Sequence, residues 1–99
     1  MTRNEIGPGE LAAALVLRSG TPTGRVGRLI AVQQAQRILD RIPADAVVDR
    51  EVLSRASHSA LCPGTSAFTW HDWEGHAGAS DELLELLALP DLMERAHRA

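Results

Sequence analysis

Apolar positions recur at helical spacing along most of the chain, and the interruptions fall at Gly, Pro and hydroxyl residues. In "GPGELAAALVLRSG", Leu11, Ala14 and Leu15 share a face that Val16 and Leu17 widen. Pro8 suits a first helical turn, Glu10 complements the N-terminal dipole, and Gly20 can end the segment in a left-handed conformation. The pattern predicts a short, largely buried helix over residues 8–19.

"RVGRLIAVQQAQRILDRI" follows the turn "TPTG" and carries the clearest period in the chain. Ala31, Ala35, Ile38, Leu39 and Ile42 fall on one side, Gln33, Gln34, Arg37, Asp40 and Arg41 on the other, and Pro43 closes the run. Upstream the register fails. At about 100° per residue, Val26, Leu29 and Ile30 project onto the later polar side and Arg28 onto the apolar side. Gly24 and Gly27 weaken helix, so the helix is expected to begin near residue 29. The alternative is that its first turns are covered from another direction.

"PADAVVDREVLSRASHSALCPG" predicts a third helix with Asp45 or Asp49 as N-cap and Pro63-Gly64 as its stop. Val48, Val52, Leu53, Ala56 and Ala60 form its apolar face, with His58 and Cys62 opposite. Residues 63–79 show no helical period and read as a long loop rich in aromatic and His residues. Within it, Phe68 and Trp70 alternate with His71 and Trp73, as in a short extended piece, and the three aromatics would pin the loop to the helices. Ser80 is then expected to cap "DELLELLA", and Pro90 to break it and start a final turn, giving a Leu-rich helical segment over 80–98.

The composition agrees with this outline. Ninety-nine residues with one Phe, two Trp and no Tyr predict an aliphatic core. The expected fold is mainly α, a small bundle of four to five short helices forming one domain. There is no apolar run long enough to span a membrane and no signal-peptide pattern, and the lone Cys62 cannot form an internal disulfide, so a cytoplasmic location is expected.

Several residue groups are candidates for chemistry. His58, Cys62, His71 and His76 are acceptable zinc ligands, four in number, with His58 and Cys62 on one helical face. Their spacing matches no zinc-finger pattern, and solvated His with an incidental thiol is the simpler reading. Cys62 beside a His could form a thiolate–imidazole nucleophile, but an orienting group and an oxyanion pocket would also be needed. "SGTPTGRVGR" is rich in Gly and hydroxyls but lacks a phosphate-binding Lys, and it reads as a polar turn.

Charge adds one asymmetry. All ten cations are Arg, and between Leu11 and Leu39 there is no acid, so Arg18, Arg25, Arg28 and Arg37 form a basic section. It could meet an acidic partner, a nucleic-acid backbone or, most simply, the acidic C-terminal half of the same chain. Residues 29–42, a turn at 43–45 and 46–61 have a helix-turn-helix outline, with Arg50, Ser54, Arg55 and His58 exposed, but a net charge of −3 disfavours nucleic acid.

The last candidate is the surplus of apolar residues at the C-terminus. Leu83, Leu86, Leu87, Leu89 and Leu92, with Leu84 and Met93, exceed what one short helix needs on one face, and Leu89 projects away from Leu83 and Leu87. The surplus predicts burial by a protein partner or a second copy, assisted by Val26, Leu29 and Ile30. The chain is therefore expected to be a protein-binding or regulatory module, or a small accessory subunit, acting through its Leu-rich C-terminal helix. The alternatives are a metal-stabilised or nucleic-acid-binding domain, and then a small enzyme using the His, Cys and acid cluster of 58–76.

Overall fold

The computed structural model describes residues 1–19, 24–61 and 73–98, with the backbone alone for Ser19, Gly24, Leu61 and residues 73–79. Among these, five α-helices carry the fold: α1 (Pro8–Ser19), α2 (Gly24–Leu39), α3 (Arg50–Leu61), α4 (Trp73–Leu87) and α5 (Leu92–Arg98). The chain is mainly α, as the periodicity predicts.

Helix α1 is the centre of the packing, because it touches α2, α4 and α5, while α3 closes against α2 and α4. Its residues explain that position. Leu11, Ala12, Ala13, Ala14 and Val16 are all buried, and a run of alanines lets neighbouring helices approach from several sides with little side-chain entropy lost. Ala35, Ile38, Leu39, Leu53, Leu83 and Leu92 complete one aliphatic core with it.

Helix α2 starts at Gly24, not near residue 29. Elongating a helix costs far less than nucleating one, and the buried C-terminal half supplies the nucleus. Arg28, which the period places on the apolar side, donates from Nη2 to the His97 carbonyl at the end of α5 (3.3 Å), where a cation meets the negative end of a helix. Gly24 and Gly27 therefore weaken α2 without ending it.

Asp49 is the N-cap of α3: its carboxylate accepts from the Val52 amide (2.9 Å). Residues 40–49 separate α2 from α3, a longer connection than the turn expected at 43–45. The first six residues hold that connection in place. The Arg3 amide donates to the Ala46 carbonyl (2.9 Å) and the Val48 amide to the Met1 carbonyl (2.8 Å); Arg3 Nε reaches the Leu39 carbonyl (3.0 Å) at the end of α2. One 3-10 turn, Arg3–Glu5, then leads buried Ile6 into the core.

Helix α4 begins at Trp73, seven residues before the expected start, so the expected 63–79 loop is helical over 73–79, and residues 62–72 lie outside the described ones. Ser80 is consequently no cap. It is buried inside α4, where its hydroxyl meets that of Ser54 on α3 at 2.9 Å. Ser57 is buried too, and its Oγ has no hydrogen-bond partner among the described residues. An unmade buried hydrogen bond is costly and Ala is the better helix former; Ser57→Ala should raise stability by about 1 kcal/mol in urea unfolding. A loss of stability would show that this hydroxyl is satisfied.

Candidate functional site

The exposed side of α2 is the feature that the fold leaves without a structural task. Ala31, Ala35, Ile38 and Leu39 take the buried arc, and the residues about half a turn away carry the other aliphatic set. Val26 is 71% exposed, Leu29 60%, Ile30 49% and Val32 42%. Val26, Leu29 and Val32 are spaced i, i+3, i+6, so they form one ridge, with Ile30 beside Val26 at i+4. The ridge needs no cover to form, since the helix is anchored from its other side.

The ridge descends into a groove of about 220 Å³ lined by α1, α2 and α5. Gly9, Ala12, Ala13 and Val16 make its floor, Val32 and Arg28 one wall, and Met93 and Ala96 the other. Met93 is itself half exposed at the rim. Val32, at the end of the ridge, thus shares one groove with Met93 and Ala96 of α5.

The four basic-section arginines are engaged differently. Arg18 Nε pairs with Glu82 on α4 (3.0 Å), the intramolecular pairing that the charge asymmetry favours. Arg28 is held at α5. Arg25 and Arg37 make no ion pair or hydrogen bond among the described residues, although every other arginine described has one. Both lie on the outward arc with Val26, Leu29 and Ile30, and the exposed Gln33 and Gln36 lie on the same arc. The first acid, Asp40, follows the helix end and accepts from Gln36 Nε2 (2.8 Å).

The chain matches no family model, no curated protein and no solved structure.

The Leu-rich segment is placed differently from this face. Leu83 and Leu92 are buried, and Leu84, Leu86, Leu87 and Leu89 are half-buried against the same core. Leu89 does not project from α4, because the helix ends at Leu87 and Leu89 follows in a turn whose amide donates to the Leu86 carbonyl (3.1 Å). The chain's own packing therefore takes up Leu83 and Leu92 fully and Leu84, Leu86, Leu87 and Leu89 in part.

Of the metal candidates, His58 is half-buried on α3; Cys62 and His71 lie outside the described residues, and His76 is on α4 with its side chain not described. Among the described residues no three His, Cys, Asp or Glu gather in a way that could hold a metal. The sector expected to face DNA is occupied within the chain: Ser54 is buried, Arg55 pairs with Glu51 (2.6 Å), and Arg50 grips Asp81 through Nε and Nη2 (2.7–3.0 Å). No helix among the described residues is long and apolar enough to cross a membrane.

The Arg50 bonds hold the Asp81 carboxyl below its ordinary value of 3.8. Arg95 of α5 does the same for Asp91, the residue just before that helix, and the Thr2 hydroxyl and amide for Glu5. A lowered carboxylate lends stability above its unfolded pKa, and that stability is lost as pH falls through the lowered folded value. Melting temperature should therefore drop below about pH 4. Arg50→Gln should flatten that drop, and an unchanged profile would show that the α3–α4 pair contributes nothing.

Proposed function

We propose that this chain is a protein-binding module or accessory subunit whose docking surface is the outward half of α2 together with the α1–α2–α5 groove. The observation that supports the reading is the exposed apolar set Val26, Leu29, Ile30 and Val32 on one side of α2, with Val32 and Met93 lining the same groove, on a small chain whose Leu83 and Leu92 are already buried in its own core. Contiguous exposed apolar patches are characteristic of interaction sites, whereas single exposed leucines are ordinary. A groove with an Ala and Gly floor accepts one side chain of a docked segment, and the adjoining ridge supplies the flanking contact.

A photo-crosslinker placed at Gln33, on the exposed arc of α2, tests this in cells. The reading predicts a discrete adduct that disappears when Leu29→Ser is added and is absent when the crosslinker sits at Ala44. Equal adducts from Gln33 and Ala44, or none from Gln33, would overturn it.

A further inference from the structure

The apolar patch is small for an interface. Val26, Leu29, Ile30 and Val32 offer only their exposed parts to a partner, and the area so covered is modest against the translational and rotational freedom that association removes. A partner held by these residues needs further attraction, and the charges on the same face define its sign.

Resting on the docking reading above, we infer that the occupant of this face is an acidic amphipathic helix. Arg25 and Arg37 have no partner among the described residues and bracket the patch on the outward arc of α2. They are twelve residues apart, about 18 Å along the axis, so a partner helix of three to four turns can set one carboxylate against each while its apolar stripe covers Leu29 and Ile30. Gln33 lies between the arginines and adds hydrogen-bonding capacity without charge. The absence of any acid from Gly24 to Leu39 means that an acidic partner meets no repulsion along the helix.

A second copy of the chain fits this face poorly. Pairing α2 with α2 across a two-fold axis would bring Arg25 and Arg37 of both copies to one seam with no carboxylate of α2 between them, and like charges brought together in an interface are destabilising. A nucleic-acid backbone would match the arginines but leave Val26 and Leu29 against phosphate.

Three probes titrated against the full chain decide the matter by fluorescence anisotropy: a labelled helical peptide with leucines at i, i+3, i+4 and i+7 and glutamate elsewhere, its lysine twin, and a duplex DNA. The glutamate peptide should bind about tenfold or more tightly than the lysine twin at low salt, and Arg25→Glu with Arg37→Glu should reverse that order. Both substitutions are at exposed positions, and circular dichroism melting confirms that the variant folds. Equal binding of the two peptides, lost together in Leu29→Ser, would overturn the acidic partner while leaving the docking surface standing. Tighter binding of DNA than of the glutamate peptide, or no binding of either peptide, would also overturn it; the Gln33 crosslink then judges the docking surface by itself.

Discussion

Leu83→Glu should leave the chain unfolded at room temperature, whereas Leu29→Glu should melt within a few degrees of the parent. Leu83 is buried to 1% exposure at the contact of α4 with the core, and no cation among the described core residues could receive its carboxylate. Burying an unpaired charge costs more than a small domain's whole margin of about 5–15 kcal/mol, or forces the site open. Leu29 already stands in solvent, so a glutamate there changes stability by about 0.5 kcal/mol or less. Two leucine-to-glutamate changes thus separate the helix that builds the core from the one that presents a surface. Similar melting of the two variants by circular dichroism would mean that Leu83 and Leu29 have been assigned the wrong surroundings.

Leu11→Ala carries the second-largest effect. Leu11 is fully buried on α1, the helix that meets α2, α4 and α5, so its truncation leaves a cavity that several rigid neighbours border. Buried Leu→Ala changes cost about 3 kcal/mol or more where the site cannot collapse, which lowers the melting temperature by roughly 15 °C in a domain of this size. Calorimetry reads the shift directly. A change of only a few degrees would indicate that α1 lies at the edge of the packing instead of its centre.

The same contrast explains what the sequence pattern conveys and what it does not. Helix α1 is legible over Pro8–Ser19 because Pro8 and the aliphatic run agree on one answer, and the α3 cap is legible only as far as the choice between Asp45 and Asp49, which the Val52 amide decides for Asp49. The starts of α2 and α4 are not, since Gly24, Gly27, Gly75 and Gly78 lower local helix propensity, while a helix once nucleated elongates at little cost. Ser80 reads as a cap because a serine before two acids usually is one; only its contact with Ser54 across the α3–α4 interface explains its burial. The docking of residues 1–6 on the α2–α3 connection has no periodic signature at all, being made of backbone hydrogen bonds, one Arg3 side-chain bond and the single buried Ile6.

The candidate surface is half legible. Val26, Leu29 and Ile30 stand out because they break the register of the helix that follows, and the break is real: they face solvent while Ala31 and Ala35 face the core. What the pattern does not supply is the inward packing of Leu83, Leu86, Leu87, Leu89 and Leu92. Projecting Leu89 around a continuous helix creates a second apolar side, but α4 stops at Leu87, and the turn before α5 redirects the remaining leucines inward. Nor can spacing tell that Arg18 and Arg28 are engaged within the chain while Arg25 and Arg37 have no partner among the described residues.

The central claim is that the aliphatic ridge of α2 is bare in the free chain. Methyl NMR with a soluble paramagnetic probe measures this most directly, residue by residue. The account predicts strong relaxation of the Val26, Leu29 and Ile30 methyls, with those of Leu11, Leu83 and Leu92 protected. Protection of Val26, Leu29 and Ile30 to the level of Leu11 would contradict it, since that face would then already be covered.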